Sequence, residues 1–377
     1  MIYIIYILAL LGALSIVFLG YDLLRNLNVW QCRIHTGRYA DSESWVTQAK
    51  LRAKKWTRRM PVVPVSENNR LILLDILRKR HANMTVQGWQ RAALIMALGD
   101  DGLYNSPDIT DFVRDGHCDA ALYAYALGAY TSVSPHSIRA KMDAVYSMIL
   151  QTKGDCETVP YRRGTEDIRF VDTTGLICPF LAFYGITYSI HEAVELARKQ
   201  LEEYAMVTGN TTSGLPPHAF RVTDRTPLGA PDWGRGTGWY IIGLVETRRA
   251  IAPGPFHEWL SQNILTLAEY ILRFQTSEGG WRPFLASPGM NYEGSATATC
   301  MLLMTEAFLI SHDMRFKNAY DRALNDIMAH TQRNGALDIC QGDTHGISNY
   351  SSRYGYMPFA QGMALLAKKR MDGYAHT

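Results

Sequence analysis

The sequence predicts an all-α protein, an (α/α)6 barrel of six helical hairpins that follows one N-terminal transmembrane helix. Apolar residues recur along most of the chain with the helical period, and few stretches show the period of two that strands need. Two kinds of helical segment alternate along the chain. The first twenty residues after Met1 carry no charged side chain. These features predict two rings of helices and a membrane anchor.

The two kinds of helical segment differ in how apolar residues are distributed around them. One kind is rich in small residues and apolar on nearly all faces, which is typical of buried helices; the other has a charged stripe, which is typical of a surface. The first kind occupies residues 86–98, 119–130, 173–188, 236–251, 294–310 and 358–370, and the second occupies 68–82, 136–151, 191–207, 256–275 and 314–332. Six buried helices alternating with surface helices predict an inner and an outer ring.

The spacing of the buried helices favours a barrel over an α-solenoid. Their first residues lie mostly 54 to 64 residues apart, with one interval of 33. A solenoid of helical hairpins is the alternative architecture, and it would show shorter and more regular repeats.

The N-terminal segment Ile2–Tyr21 is uniformly apolar, and Asp22 ends it. About 20 helical residues span the roughly 30 Å hydrocarbon core of a bilayer. A cleaved signal peptide is an alternative, but it would carry a basic region before the apolar run. A buried core helix is a second alternative. We predict a retained transmembrane anchor over residues 1–24.

A basic segment, residues 25–64, follows the predicted anchor. It holds nine Lys and Arg residues up to Arg59, and the positive-inside rule therefore places the C-terminal part in the cytoplasm. Its tryptophans Trp30, Trp45 and Trp56 fit lipid headgroups or packing against the folded domain. Prolines and the polar run 66–69 then predict a single domain over residues 65–377.

Composition excludes several classes of function. A net charge of +3 is too small to indicate nucleic-acid binding. The six cysteines form no C-x-x-C pair, so no zinc site is expected. The aromatic content of 11% suits a sugar-binding cleft, and equally a large barrel core.

Polar and aromatic residues cluster at the starts of the predicted inner helices. Five starts carry them: Asp115 and His117; Asp172; Trp233, Arg235 and Trp239; Tyr292, Glu293 and Ser295; Tyr354 and Tyr356. If the inner helices run parallel, these side chains gather at one rim and line one cavity. The alternative is that the acids and Ser295 are N-caps. Trp and Arg do not cap helices, so capping does not explain the whole pattern.

Four segments resemble glycoside hydrolase families 88 and 105. FVDTTGLICPFLAFYG (170–185) resembles their aspartate before a helix, and WGRGTGWYIIGLVET (233–247) their W-x-R-x-x-G-W helix start. GGWRPFLASPGMNYEGSATA (279–298) resembles their Gly-Trp loop, and RYGYMPFAQGMALLA (353–367) their last inner helix. The resemblance covers roughly residues 80–370.

These families are unsaturated glucuronyl and rhamnogalacturonyl hydrolases, so the resemblance implies a carbohydrate substrate with a 4,5-unsaturated uronic acid at its non-reducing end. An aspartate protonates C4 of the vinyl ether and helps water to add at C5. The resulting hemiketal opens and releases the next sugar. The resemblance implies no metal and no organic cofactor.

The resemblance also assigns residues to the site. Asp172 matches the general acid/base, and Asp115 falls near the second acidic position. The substrate-binding residues that the resemblance implies are His218, Trp233, Arg235 and Trp239. Further expected substrate-binding residues are Tyr161 and Arg162, in a stretch that departs from the families, and Glu293, Ser295 and Tyr356, at the starts of inner helices. Arg235 would pair with the uronate carboxylate and Trp239 would stack on a sugar face. Asp172 would need a raised pKa, which burial and a neighbouring carboxylate supply.

One stretch departs from the families' pattern. About eleven residues before the catalytic aspartate many relatives carry a histidine, whereas this chain has Tyr161, Arg162 and Arg163. The arginines would suit a more anionic sugar, or they belong to a solvated loop.

The leading hypothesis is therefore a membrane-anchored hydrolase of a uronic-acid-containing glycan. One alternative is a non-catalytic glycan-binding or assembly protein of surface-polysaccharide biosynthesis. Another is a different α/α-barrel enzyme, a lyase or an epimerase; an epimerase is expected to use paired histidines, for which His117 and His218 are the obvious candidates.

Overall fold

The structure is a computed structural model that describes residues 2–61, 63, 88–114, 116–211 and 213–375. The predicted surface helix at 68–82 lies outside these residues. The helices are α1 (Ile2–Arg33), α2 (Ser42–Arg58), α3 (Gly88–Leu98), α4 (Ile109–Arg114), α5 (Asp119–Tyr130), α6 (Arg139–Lys153), α7 (Val171–Tyr188), α8 (His191–Gly209), α9 (Gly234–Ala250), α10 (Pro255–Leu272), α11 (Gly294–Ser311), α12 (Met314–Ala329) and α13 (Pro358–Ala375). Single 3-10 turns occupy Gly99–Gly102 and Pro135–Ile138.

Within the described residues, six of these helices form a closed inner ring. The helices α3, α5, α7, α9, α11 and α13 each pack against the next, and α13 returns to α3. The outer helices α6, α8, α10 and α12 each pack on the inner helix that precedes them, and α2 packs on α13. This double ring is the predicted (α/α)6 barrel.

Glycines let the inner helices approach until their backbones touch. A Cβ on Gly175 of α7 would lie 2.5 Å from the carbonyl oxygen of Trp239 in α9. A Cβ on Gly362 of α13 would lie 2.3 Å from the carbonyl oxygen of Ala93 in α3. Real Cβ atoms do not approach backbone so closely, so the ring requires glycine at these two positions.

Short strands cover the end of the barrel where the inner helices begin. β1 (Ile168–Phe170) leads into α7 and pairs antiparallel with β2 (Ala219–Arg221), which pairs with β3 (Pro227–Leu228). A second sheet joins β4 (Cys340–Gln341) to β5 (Tyr354–Gly355), antiparallel. These strands are too short to give a recognisable pattern of period two, and the sequence did not predict them.

A buried ion network closes the opposite end of the barrel. Arg370 of α13 donates to Glu246 of α9 at 2.7 Å and to Glu306 of α11 at 2.9 Å. Tyr130 of α5 donates to Glu246, and Arg249 adds a second cation at 3.0 Å from Glu306. Both glutamates are fully buried, and buried charges are tolerated only when they are paired in this way.

Two helices are long and apolar enough to cross a membrane, but their surroundings differ. Gly294–Ser311 is the inner helix α11, and 83% of its apolar window is buried in the barrel. None of the apolar window of α1 is buried, and its large side chains are exposed. The helix α1 extends to Arg33, beyond the predicted end of the anchor at residue 24.

The helix α2 belongs to the folded domain. Its side chains Trp45 and Trp56 are buried, and the Trp45 indole donates to the Thr331 hydroxyl at 2.9 Å. These two tryptophans therefore pack on the domain, whereas Trp30 in α1 is 63% exposed. The predicted domain start at residue 65 is too late, because α2 supplies an outer helix within the segment we predicted as juxtamembrane.

Gly362→Ala is expected to destabilise the barrel by about 1–3 kcal/mol, because its methyl group would force α13 away from α3. Urea denaturation of the detergent-solubilised chain measures this. The matched control is Gly373→Ala in the same helix, where no atom lies within 4 Å of the added Cβ. A neutral Gly362→Ala variant would contradict the packing argument.

Candidate active site

A cavity of about 430 Å³ opens where the inner helices begin. It is lined by Trp89, Gly116, His117, Cys118, Asp119, Tyr161, Arg162, Asp172, Leu176, Trp233, Arg235, Trp239, Asp343 and Thr344. These residues come from the starts of α3, α5, α7 and α9, from the loops that precede α5 and β1, and from the loop after β4. The starts of successive inner helices therefore meet at one rim.

Asp172 lies in the first turn of α7 and reaches the cavity. The helix begins at Val171, whose backbone N–H is held by the carbonyl of His218 at 2.9 Å. The Asp172 side chain is 17% exposed, and among the described residues its Oδ2 has no hydrogen-bond partner. Burial, with a smaller contribution from Asp343, raises the pKa of Asp172 to about 7, although Arg235 opposes the shift. Capping does not explain this carboxyl group.

His218 lies behind Asp172 and is neutral near pH 7. Burial, and then the charge of Arg235, lower the pKa of His218 to about 4. Its Nε2 is 3.8 Å from Asp172 Oδ2, which is too long for a hydrogen bond, and the neutral ring forms no ion pair. Its Nδ1 is 3.2 Å from the Tyr350 hydroxyl, and its ring packs on Trp233 with centroids 4.5 Å apart. His218 is thus a fixed, uncharged residue behind the residues that line the cavity.

Asp119 is a second acid of the cavity, which the sequence analysis did not single out. Its Oδ2 accepts a hydrogen bond from the Gly88 N–H at 2.9 Å, and burial raises its pKa. Its Oδ1 has no partner within the part of the chain described. The predicted second acid, Asp115, lies outside the described residues. A charged residue opening the otherwise apolar run DAALYAYALGAY was the signal that would have indicated Asp119.

Asp343 is a third carboxyl group at the cavity, also missing from the sequence prediction. It follows β4 and accepts a hydrogen bond from the Thr344 N–H at 2.9 Å. Burial raises its pKa, and Arg235 opposes this shift. Nothing in the local sequence distinguishes it from an ordinary loop aspartate, because only the fold brings β4 to α7 and α9.

Arg235 of α9 lines the cavity but is already engaged by backbone. Its two terminal nitrogens donate to the carbonyl oxygens of Gln341 at 2.6 Å and Gly342 at 2.7 Å. Its guanidinium lies over the Trp233 ring, 5.1 Å from the centroid. The predicted pairing of Arg235 with a substrate carboxylate stays a prediction: these two bonds use two of its five N–H donors, and they hold the loop after β4.

Tyr161 and Arg162 line the cavity mouth from the loop before β1. The Tyr161 ring packs against Phe170, with centroids 5.2 Å apart. Arg162 is exposed, so the two sequence interpretations of this loop are compatible: it is solvated, and it also borders the cavity.

Indole rings form the apolar wall. Trp239, predicted from the sequence, meets Trp89 edge-on with centroids 5.5 Å apart. Both rings also contact Phe359, at 5.2 Å from Trp89 and 4.8 Å from Trp239. Trp89 was not predicted as a site residue, because it lies in the segment VQGWQRAALIMAL, which has the pattern of a uniform core helix.

Four predicted substrate contacts do not line the cavity: His218, described above, and Glu293, Ser295 and Tyr356. Glu293 is the N-cap of α11 and accepts hydrogen bonds from the backbone N–H groups of Ser295 and Ala296 at 3.0 and 2.6 Å. Ser295 is fully buried and its hydroxyl donates to Glu293. Tyr356 packs on Trp56, with centroids 5.7 Å apart. For Glu293 the capping interpretation is the correct one.

The described residues contain no group of three or more His, Cys, Asp or Glu side chains that could hold a metal ion. Three carboxyl groups, two arginines and three indoles are among the chemical groups that line this cavity. A carboxyl group whose pKa is raised to about 7, as that of Asp172 is, donates and accepts protons near neutral pH.

A closed double ring of helices with carboxyl groups at the rim of one cavity is the architecture of a six-hairpin glycoside hydrolase. The sequence matches the model of Glycosyl Hydrolase Family 88 over residues 100–372, well over half of the chain. The chain therefore belongs to glycosyl hydrolase family 88 and is a glycoside hydrolase, as the sequence predicted.

Solved structures of related enzymes share the fold. A possible member of glycoside hydrolase family 105 from Salmonella enterica serovar Paratyphi A is 15% identical, with a TM-score of 0.71 over 89% of this chain and 96% of that chain. An unsaturated glucuronyl hydrolase from Bacillus sp. GL1, responsible for the degradation of glycosaminoglycan, is 15% identical, with a TM-score of 0.60 over 87% and 95%. No curated protein matched the chain.

Asp172→Asn is expected to change the pH dependence of stability. The pKa of Asp172 is about 7 in the folded protein, above its ordinary value of 3.8 in the unfolded chain. The free energy of unfolding of the wild type therefore falls as pH rises from 3.8 to 7. Relative to wild type, the variant should gain about 2–4 kcal/mol in free energy of unfolding between pH 4 and pH 8. Urea denaturation across this range measures the gain.

Asp108→Asn is the control of opposite sign. Hydrogen bonds from Lys141 and Thr110 lower the pKa of Asp108 to about 2, so its ionised form stabilises the fold above pH 3.8. This variant should lose stability relative to wild type as pH rises from 2 to 4. An Asp172→Asn curve parallel to wild type would show that Asp172 titrates normally.

Proposed function

We propose that the chain hydrolyses a glycan whose non-reducing end is a 4,5-unsaturated uronic acid. The observation that carries the proposal is Asp172, a buried carboxyl group with an unpaired oxygen and a pKa of about 7. At neutral pH such a group is poised between its acid and its base form. Membership of family 88, together with the fold shared with an unsaturated glucuronyl hydrolase, supports this substrate class.

The reaction would begin with transfer of the Asp172 proton to C4 of the double bond. Positive charge then develops at C5 and on the ring oxygen, where the resulting carboxylate stabilises it. Water adds at C5 and gives up a proton to Asp172, which restores the acid. The hemiketal formed at C5 opens, and the C1–oxygen bond to the next sugar breaks as the aldehyde forms.

Asp119 is the proposed second acid, in place of the predicted Asp115. It is buried beside Trp89 at the cavity wall and has a free Oδ1 among the described residues. A carboxyl group kept protonated by burial donates a hydrogen bond to a sugar hydroxyl or to the attacking water. His218, neutral at this pH, would hold the ring of Trp233 and leave proton transfer to the carboxyl groups.

Arg162 is the proposed partner of the uronate carboxylate. Two terminal N–H groups of Arg235 already serve backbone carbonyls, whereas Arg162 is exposed at the mouth. An arginine fork matches a carboxylate with two parallel hydrogen bonds. The edges and faces of Trp89 and Trp239 would contact the apolar face of the sugar.

We further propose that α1 anchors the enzyme in a membrane, with the barrel on the cytoplasmic side. The support is the uniformly apolar, unburied window of α1 and the Lys and Arg residues that follow it. A biosynthetic or salvage role suits this side of the membrane better than extracellular digestion.

Asp172→Asn is expected to lower kcat by about 100- to 10,000-fold, because an amide neither donates the proton to C4 nor accepts one from water. Turnover is followed as the loss of the ultraviolet absorbance of an unsaturated glucuronyl disaccharide. Undiminished turnover by this variant would remove Asp172 from the mechanism.

Asp343→Asn is the companion variant. It keeps the reacting carboxyl group but removes a neighbouring negative charge that raises the pKa of Asp172. For wild type, kcat/KM should fall as pH rises through about 7, since the acid form is lost. In Asp343→Asn this fall should begin at a lower pH.

Arg162→Ala is expected to raise KM for an unsaturated glucuronyl disaccharide by roughly tenfold, since one charge-assisted pair is worth about 1.5–3 kcal/mol. The matched control is Arg163→Ala, because Arg163 is exposed in the same loop but does not line the cavity. Equal KM values for the two variants would exclude Arg162 as the carboxylate partner.

A further inference from the structure

The C-terminal end of α1 is clamped to the barrel by an ion pair. Arg33 donates two parallel hydrogen bonds to Asp338, Nε to Oδ2 at 2.5 Å and a terminal nitrogen to Oδ1 at 2.8 Å. The Asp338 side chain is only 3% exposed and also accepts a hydrogen bond from Gln332 at 2.7 Å. A bidentate pair with a nearly buried carboxylate fixes orientation as well as position.

Backbone contacts reinforce the clamp on either side of Arg33. The N–H of Arg333 donates to the carbonyl of Cys32 at 3.2 Å, and the N–H of Gly37 donates to the carbonyl of Thr331 at 3.0 Å. Gly37 has φ +76°, and a Cβ there would lie 2.7 Å from the Ala329 carbonyl oxygen. The chain that leaves α1 is therefore held against residues 329–338.

The clamp is on the same side of the barrel as the cavity. Residues 329–338 connect the end of the outer helix α12 to β4, and outer helices end where inner helices begin. Five residues after Asp338, Asp343 lines the cavity, and the carbonyls of Gln341 and Gly342 between them bind Arg235. The anchor helix thus departs from the rim that carries the catalytic groups.

The apolar part of α1 is not covered by the barrel. None of its apolar window is buried, and Asp22, which is buried, lies between this window and the clamp. From Tyr21 to Arg33 it rises about 18 Å, at 1.5 Å per residue. Exposed Arg38 and Arg333 flank the clamp and suit anionic lipid headgroups.

We infer that the rim around the cavity faces the bilayer, and that the substrate is a uronyl glycan attached to a membrane lipid. This inference rests on the proposed function and on α1 as a membrane anchor. A cavity that faces the membrane lies close to glycans carried by lipids. Free oligosaccharides would reach the cavity more easily if it faced away from the membrane.

The orientation is tested by energy transfer from the barrel to the membrane surface. The full chain, with Cys32→Ser and Cys156→Ser, is reconstituted into phosphatidylcholine–phosphatidylglycerol vesicles that carry an acceptor dye on the headgroups. A donor dye is placed at Ser352→Cys beside β5, or at Ala252→Cys beyond the C-terminus of α9; both positions are exposed. An inner helix of 18 residues separates the two ends by about 27 Å.

We expect transfer to be several-fold stronger from position 352 than from position 252. Equal transfer, or stronger transfer from position 252, would overturn the inference. This measurement does not depend on activity, so it decides the orientation even if the proposed reaction is wrong.

The substrate is tested with one 4,5-unsaturated glucuronyl disaccharide in two forms, free in solution or linked by a short spacer to a dialkylglycerol in the same vesicles. A variant with a seven-residue helical insertion after Leu24 moves the barrel about 10 Å further from the bilayer. Its turnover of the lipid-linked form should fall roughly tenfold, because the effective concentration at the cavity drops. Its turnover of the free form should not change.

Arg33→Ala releases the clamp and should act in the same direction as the insertion. Lys50→Ala is its control, since Lys50 is exposed in α2 and takes no part in the clamp. Undiminished turnover of the lipid-linked form by both the insertion and Arg33→Ala would refute the inference. Failure of the unmodified chain to convert the free form would instead refute the proposed function.

Discussion

The rim of the cavity depends on hydrogen bonds that converge on Gln341. Its backbone N–H donates to Glu293 at 2.8 Å, and its carbonyl accepts from Arg235 at 2.6 Å. Its side-chain oxygen accepts from the Trp233 indole at 3.0 Å, and its side-chain nitrogen donates to the Ser351 carbonyl at 3.0 Å. Every kind of polar group on this buried residue is therefore used, and the starts of α9 and α11 are tied to one strand.

This constraint explains why the rim can hold several carboxyl groups with raised pKa values. A solvated or mobile loop would let water reach Asp172, Asp119 and Asp343 and would return their pKa values to the ordinary range. Because β4 is fixed, burial persists, and Arg235 remains near enough to limit the shift at Asp172 and Asp343. The charged groups at the other end, Glu246 and Arg370 among them, are instead paired with each other and carry no comparable reactivity.

The ring of helices was predictable because burial leaves a periodic trace in the sequence. Helices apolar on all faces and rich in small residues, such as α7 and α11, were predicted inside the barrel for this reason. Trp239 was recognisable as a candidate site residue because an indole at a helix start does not cap. Asp119 and Asp343 were not, because a lone aspartate has the same appearance in a cap, a loop or a catalytic site. Glu293 was predicted as a substrate contact for the same reason, although it caps α11. The helix α2 was not predicted as part of the domain, because its many Lys and Arg residues are typical of a juxtamembrane segment.

The ion network around Arg370 closes the base of the barrel, so the cavity is open at one end only. A polymer cannot pass through such a cavity. One end of the polymer must enter, and a released unit must leave by the same opening. A closed base therefore admits to the cavity only a ligand that enters and leaves through the mouth.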